Sequence, residues 1–431
     1  MRLPGRIAAA IEILEDMNAR HRPVAEALKA WGLNHRFAGV GDRSAIGNLV
    51  YDTQRSKLSH AYAMREDTPR ALVLSVIVRE WGVTPEELND QFASDAHAPA
   101  ILSVDEVQHL SAPAPLAGAA PHIAADVPEW TVPSLERTFG SDWVAEATAM
   151  TRRPSLDLRV NTLRADRPRL LKALERFSAR PGDIAPTCMR IETGGRDART
   201  PNVQAEEGYL KGLFEVQDQG SQVVAALVGA QPGEQVLDLC AGAGGKTLAM
   251  AAAMANKGQI FAYDSDRFRL APIYDRLKRS GVRNVQVRAP GEGALDDLTD
   301  ALDRVVIDAP CTGTGTWRRR PDTKWKLTPE QVAARVADQR ALLERAVTLV
   351  KPAGTIAYIT CSVLDEENDA QIADFLARHG DFATVDLKPA VGALGEAAPR
   401  RVRMTRTGGV LLTPLRSGTD GFFIALLKRK R

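Results

Sequence analysis

The residues best suited to chemistry are two cysteines with polar neighbours. Cys311 lies in DAPCTGTGTWRRRPDTKW, Asp308 to Trp325, and Cys361 lies in YITCSVLDEEN, Tyr358 to Asn368. A third stretch, VLDLCAGAGGKT, Val236 to Thr247, places Cys240 in a glycine-rich turn. A thiolate is a nucleophile for covalent catalysis, and glycines let a backbone approach a ligand closely. An isolated cysteine is more often a small buried hydrophobe, and Cys188, which has no such context, is read as structural. Four cysteines in 431 residues are too sparse for a disulfide framework, and they lack the close pairing of a zinc site, so no metal is expected.

Two common readings of the glycine-rich turn fail on spacing. A Walker A loop needs glycine five residues before Gly245-Lys246-Thr247, where Cys240 stands. A dinucleotide fingerprint starting at Gly242 needs glycine where Thr247 stands. What remains is Asp238 before the turn and Asp264 at the end of the next expected strand. A carboxylate at that place can accept both hydroxyls of a ribose. A nucleoside cofactor without a pyrophosphate, such as S-adenosylmethionine, fits. A tight turn for close packing and NAD binding by a degenerate fingerprint remain the alternatives.

These residues need a scaffold that gathers them. From about residue 216, strand-like runs (EQVLDLC, GQIFAYD, DRVVIDAPC, GTIAYITC) alternate with helical ones (GKTLAMAAAMA, RLAPIYDRLKRSG, Thr328 to Val350). Such alternation implies a parallel sheet covered by helices. Thr328-Pro329-Glu330-Gln331 opens the long helix with a capping box. GVLLTPLRSGTDGFFIALLKRK reads as a terminal hairpin at a sheet edge. All parallel strands point one way, so Cys240, Asp264, Asp308, Cys311 and Cys361 gather at the carboxyl edge, where open α/β sheets bind ligands. Both thiols then face one pocket. A disulfide between them is a third possibility, unfavoured in a reducing cytosol.

The chain is too long for one ordinary core, and three units are expected. Up to about residue 93 the apolar residues recur at the three- and four-residue spacing of helices, and residues 1–118 are read as an all-α domain. From residue 93 to 133, across the end of that domain, the sequence turns Ala/Pro-rich and reads as a linker with one short helix. Residues 119–215 complete that linker and continue into a small α+β subdomain, and 216–431 form the α/β domain. Acidic residues interrupt the apolar N-terminal stretch, which excludes a signal peptide. No apolar run approaches the roughly 20 residues that cross a bilayer, so a cytoplasmic protein is expected. Net charge is only +2, yet residues 400–431 carry nine Lys/Arg against Asp420, and Cys311 to Lys326 carries five against Asp322. Such patches suit a polyanion.

DLCAGAGGKT, DAPCTGTGTWRRRPDTKW and YITCSVLDEEN together resemble the S-adenosylmethionine-dependent RNA cytosine-5 methyltransferases of the RsmB/Nop/Sun family. DRSAIGNLVYDTQRSK is similar to the NusB-type RNA-binding domain that precedes the catalytic part in bacterial 16S rRNA methyltransferase B. The resemblance implies a Rossmann-like class I methyltransferase domain, S-adenosylmethionine as cofactor, and an RNA partner, 16S rRNA, for a monomeric enzyme. It implies Cys361 as nucleophile, Cys311 as the cysteine that releases product, and Asp308 as an acid shared by cofactor and base. Cys240, Ala241, Gly242, Ala243, Gly244, Gly245 and Lys246 match the methionine-end loop, and Asp264 matches the ribose acid. Arg318, Arg319, Arg320, Lys324 and Lys326 are candidate phosphate contacts, and Trp317 and Trp325 either stack on bases or pack the loop. Two departures stand out: the usual Ala-Ala-Pro-Gly-Gly-Lys is Ala-Gly-Ala-Gly-Gly-Lys here, and the acid near the adenine is replaced by Pro290, leaving Glu292 or backbone groups to substitute. Rival readings are another rRNA site or a tRNA, and a non-catalytic RNA-binding factor; a nicotinamide-dependent oxidoreductase fails on the glycine spacing.

Overall fold

Runs such as Val305 to Ile307 and Ile356 to Ile359 are apolar at successive positions, so both faces of their strands must be covered, as in the middle of a helix-covered sheet. In the computed structural model, which describes all 431 residues, they lie at the centre of a nine-stranded sheet. A smaller antiparallel sheet precedes it, made of β1 (Leu156–Val160), β2 (Arg180–Pro181), β3 (Cys188–Ile191) and β4 (Phe214–Val216), in the order β2-β3-β1-β4.

The large sheet contains β5 (Gln235–Asp238), β6 (Gln259–Tyr263), β7 (Val285–Arg288), β8 (Leu302–Asp308), β9 (Val350–Thr360), β10 (Phe382–Thr384), β11 (Arg403–Met404), β12 (Val410–Leu412) and β13 (Phe422–Arg429). Its order is β11-β12-β13-β9-β8-β5-β6-β7, with β10 also paired to β13. Strands β5 to β9 are parallel to their sheet neighbours among themselves, and β13 runs antiparallel to β9. The chain steps outward from β5 to β7 and then returns to place β8 on the other side of β5. That reversal opens a crevice at the carboxyl ends of β5 and β8, the usual ligand position in an open α/β sheet. Asp238 ends β5 and Asp308 ends β8.

The Thr328 capping box forms: its hydroxyl accepts the Gln331 amide at 3.3 Å, and Gln331 Oε1 accepts the Thr328 amide at 3.1 Å. Three expectations need correction. The RLAPIYDRLKRSG helix is split at Pro272 into Arg267–Leu270 and Ile273–Ser280, because proline removes a donor and crowds the preceding turn. The Ala/Pro-rich stretch holds two short helices, Val104–Leu110 and Pro121–Ala124. The terminal hairpin is not the sheet edge, since β11 adds outside β12.

Contacts divide the chain into two units. One comprises Met1–Arg153, Thr193–Thr200 and Trp317–Leu327; the other comprises Pro154–Glu192, Pro201–Thr316 and Thr328–Arg431. The first is helical from Leu3–Arg20 to Trp143–Ala149, with a core that includes Ile7, Ile13, Leu14, Ile46, Leu49, Leu74 and Ile77. No helix in the chain is long and apolar enough to cross a membrane.

The Trp317–Leu327 segment overturns part of the charge reading. Lys324 is 1 % exposed and donates to the Arg55 carbonyl at 2.9 Å, with its ammonium over the Trp325 ring at 4.5 Å. Arg318 is also buried, and its carbonyl accepts from Arg55 Nε at 2.7 Å. Trp317 is buried, and Trp325 Nε1 donates to the Gln54 carbonyl at 2.8 Å. Lys324 and Arg318 are therefore interior groups, not phosphate contacts, and both tryptophans pack the loop. Arg319 is half-buried, and Arg320 and Lys326 are exposed. The basic tail is likewise engaged: Arg429 pairs with Asp300 at 2.9 Å inside β13, and Arg406 pairs with Asp365.

Burial holds the Lys324 ammonium down to about 8, with Asp126 opposing the shift. Between that value and the unfolded lysine value of about 10.4, the unfolded chain binds more protons, so stability rises with pH. Thermal unfolding of the wild type relative to Lys324→Met, followed from pH 7.5 to 10.5, is expected to show this rise, up to about 3 kcal/mol. Parallel curves for the two proteins would refute it.

Candidate active site

The glycine-rich turn leaves β5 at Asp238 and enters the Gly245–Ala253 helix. Gly242 has φ +48° and Gly244 φ +82°, and a Cβ on Gly244 would lie 2.6 Å from Ile273 Cγ1. Both backbone conformation and space therefore require glycine at 244. The Gly242 amide donates to Asp264 Oδ2 and the Asp266 amide to Oδ1, each at 2.9 Å. These bonds fix Asp264 and leave each oxygen one further lone pair, the capacity a ribose diol needs.

Asp238 is buried; Thr247 Oγ1 donates to its Oδ2 at 2.7 Å, while Oδ1 has no partner. Burial pushes its carboxyl up to about 7, against the pull of the Thr247 hydroxyl. An orphaned acceptor, two left-handed glycines, the amides of a helix N-terminus and the prepared Asp264 suit a small polar cofactor with a nucleoside. Cys240 lines the same turn, and burial pushes its thiol up, as it does for the core residue Cys188. Glu292 is exposed, with no hydrogen bond or ion pair, and Pro290 is half-buried. No group of three or more His, Cys, Asp or Glu is placed to hold a metal ion.

Lys246 links this turn to the next strand end. Its ammonium donates to Asp308 Oδ2 at 2.7 Å and lies 5.3 Å from the centre of the Phe422 ring. The lysine side chain is 7 % exposed and Asp308 is 35 % exposed, so the pair is anchored on one side and open on the other. Arg159 from β1 donates to the Gly245 carbonyl at 2.7 Å, and Arg276 donates to the Ala243 carbonyl at 2.7 Å. The small sheet therefore braces the turn.

Cys311 and Cys361 meet. β8 pairs with β9 so that Asp308 faces Ile359, and the two loops leave the sheet side by side. Their sulfurs are 3.3 Å apart, and the Cys361 amide donates to Cys311 Sγ at 3.4 Å. Both are free thiols of intermediate exposure. The hydrogen bond to Cys361, followed by burial, pushes the Cys311 thiol well up.

The loops are stitched along their length. Gly315 N donates to the Cys361 carbonyl at 2.9 Å, Val363 N donates to Thr314 Oγ1 at 2.9 Å, and Gly421 N donates to the Gly315 carbonyl at 2.7 Å. A Cβ on Gly315 would lie 2.3 Å from Gly421 O, so only glycine fits the crossing.

Thus Cys240 to Lys246, Asp264, Asp308, Cys311 and Cys361 are all in the second unit, at the carboxyl edge. Arg318, Arg319, Arg320 and Lys324 are in the first. Sequence reasoning did not single out Arg159, Phe422, Gln339 or Glu367. The first two come from distant strands with no motif to mark them, and Glu367 is signalled only by the acidic run after Cys361.

Comparison with known proteins agrees with this architecture. A family profile described as 16S rRNA methyltransferase RsmB/F matches residues 225–428, and one for an RsmF/B-like ferredoxin-like domain matches residues 127–196. Among curated proteins, the probable ribosomal RNA small subunit methyltransferase B of Synechocystis sp. is 33 % identical over 309 residues, 70 % of this chain and 66 % of that protein. The Enterobacter sp. ribosomal RNA small subunit methyltransferase B is 35 % identical over 306 residues, with the same shares. The match spans 66 % of the length of these relatives.

Among solved structures, PH0851 aligns at TM-score 0.73 and 26 % identity over 100 % of this chain and 99 % of its own. A methyltransferase homologue from Pyrococcus horikoshii aligns at TM-score 0.59 and 26 % identity over 72 % of this chain and 97 % of its own.

The stitched loops make a geometric prediction. Diamide treatment is expected to join Cys311 to Cys361, mapped by peptide mass spectrometry, while Cys188 and Cys240 stay thiols. Gly315→Ala is expected to slow the cross-link at least about tenfold, the scale of loss that small displacements cause. A wild-type rate in that variant would mean that the glycine crossing does not set the sulfur spacing.

With the fold, the turn and the two thiol loops all in agreement with these matches, residues 225–428 belong to the RsmB/F family of methyltransferases.

Proposed function

We propose that this protein is an S-adenosylmethionine-dependent RNA cytosine-5 methyltransferase whose substrate is 16S rRNA. The observation that carries the reading is the sulfur pair 3.3 Å apart at the ends of β8 and β9, beside the open Lys246–Asp308 pair. The family supports an rRNA substrate, and the turn between Asp238 and Lys246 supports the cofactor. In this reading the helical residues 1–118 form a NusB-like RNA-binding domain.

Bound by the 240–246 turn and Asp264, the cofactor would supply a methyl group on a sulfonium. C5 of cytosine is too weak a nucleophile to take that methyl unaided. The Cys361 thiolate adds to C6, and the C5=C6 electron pair becomes an enamine whose C5 is nucleophilic. Asp308, held by Lys246, accepts a hydrogen bond from N3 once that nitrogen carries a proton from solvent, which steadies the adduct. Once C5 carries the methyl group, its proton passes to the Cys311 sulfur, the double bond re-forms, and the Cys361–C6 bond breaks. The two thiols need this close approach because they act on adjacent carbons of one ring. Attack on C6 comes from the ring face, so the target base must leave its stack.

Labelled cofactor and total RNA test the assignment. Cys311→Ala is expected to accumulate a protein–RNA adduct that survives denaturation, whereas Cys361→Ala forms neither adduct nor product. Methyl transfer retained by Cys361→Ala would overturn the nucleophile, and the position of the labelled base reports the substrate.

A further inference from the structure

Behind the thiol pair lies a carboxylate without a cation. Glu367 is 0 % exposed. Its side chain accepts the Thr312 amide at 2.9 Å, the Thr312 hydroxyl at 2.5 Å and Gln339 Nε2 at 3.0 Å, and no lysine or arginine pairs with it. The same Gln339 nitrogen also donates to the Pro310 carbonyl at 3.0 Å. The residues on both sides of Cys311 are thus tied, directly or through Gln339, to one buried carboxylate. Tyr358 fixes the Glu367 backbone by donating to its carbonyl at 2.7 Å. Three donors satisfy the carboxylate as a hydrogen-bond acceptor, but they do not neutralise its charge. Burying a charge without a counterion is expensive, so its position beside two reactive sulfurs calls for a role.

We propose that Glu367 is the positioning residue of the thiol pair: its carboxylate clamps Thr312 so that the Cys311 sulfur faces Cys361, and its charge keeps the shared proton on Cys311, leaving Cys361 free to act as the nucleophile. This deepens the methyltransferase reading and rests on it for the catalytic roles.

The titratable groups around Cys311 are few. Cys361 follows β9, Glu367 follows in the next turn, and Tyr358 lies within β9. The Pro329–Leu349 helix contributes the neutral Gln339. Lys246 and Asp308, at the near end of the Cys311 loop, compensate each other. The Cys361 hydrogen bond and burial push the Cys311 thiol up, and the charges of Cys361 and Glu367 add to that push. Tyr358 is itself pushed up by burial, Glu367 and Cys311, and so remains a neutral donor.

The geometry explains how two thiols in contact are told apart: the negative charge of Glu367, in the turn after Cys361, is hydrogen-bonded to the Cys311 loop at Thr312. A thiolate at Cys311 is opposed, and Cys361 is the sulfur left free to attack. Once bonded to the base, Cys361 carries no charge and no longer opposes a Cys311 thiolate; the Cys311 proton leaves to solvent, and the thiolate that remains takes the proton from C5.

The test compares wild type, Glu367→Gln and Glu367→Asp as full-length proteins. Iodoacetamide labelling of Cys311 and Cys361 is followed by mass spectrometry from pH 6 to 10, with melting temperature as the control for folding. Glu367→Gln keeps the size and acceptor oxygen but removes the charge. Its Cys311 labelling midpoint is expected to fall by at least about one pH unit, the scale of a nearby charge, with Glu367→Asp restoring most of the wild-type midpoint. An unchanged midpoint in a folded Glu367→Gln overturns the proposal.

Thr312→Val retains the charge but loses the hydroxyl link, and it decides the matter if Glu367→Gln does not fold. A wild-type Cys311 midpoint with a tenfold lower kcat and unchanged KM supports the clamp; a raised KM alone, or no change, refutes it. The labelling arm needs neither RNA nor cofactor. Failure of the wild type to methylate RNA would therefore count against the methyltransferase reading and leave the result on Glu367 standing.

Discussion

The parallel pairing of β8 with β9, carried past the strand ends by the contact of Gly315 with Gly421, is the constraint on which the site depends. Pairing alone fixes where Asp308 and Ile359 lie. It does not fix the loops beyond them, which could splay apart. The backbone bonds from Gly315 to Cys361 and from Gly421 to Gly315 close that freedom, and they form only because neither glycine has a side chain at the crossing. β13, antiparallel to β9, delivers Gly421 and Phe422 to this place. A C-terminal strand thus sets the separation of two sulfurs that come from other strands.

The electrostatics around the crevice follow from the same enclosure. Low local dielectric strengthens each pairing and penalises each unpaired group. Lys246 and Asp308 satisfy each other on the buried side while Asp308 stays open to a ligand. Asp238 retains an unpartnered oxygen, and burial raises its carboxyl to about 7. Glu367 holds a charge with hydrogen bonds alone. A sequence selected only for stability would replace such groups with apolar side chains. Their concentration at one sheet edge marks where function, not folding, set the residue types.

Much of the α/β unit was legible because local rules and the global fold agree there. The four strand-like runs from EQVLDLC to GTIAYITC and the Thr328 capping box form as read, and Gly242 and Gly244 take the positive φ that a tight turn asks of glycine. The charge patches had two readings, and the pattern of side chains could not choose between them. A run of Arg and Lys looks the same whether it faces a phosphate or fills a gap against backbone carbonyls, as Lys324 does against Arg55. The choice depends on segments more than two hundred residues away in sequence. Glu367 went unremarked for a similar reason: an acid in DEEN is unexceptional until Thr312 and Gln339 are seen to converge on it.

The sequence by itself determined the chemistry on offer: two thiols and an acid just past strand ends, a glycine turn with the wrong spacing for a dinucleotide, and an acid one strand further on. It determined these because residue type and strand direction are local properties. Only the tertiary structure decided that the sulfurs touch, that Lys246 belongs to Asp308, that Glu367 stands behind Cys311, and that the WRRRPDTKW arginine and lysine at 318 and 324 are interior groups. Those facts arise from contacts between segments far apart in the chain, where packing and desolvation, not local propensity, select which polar groups meet.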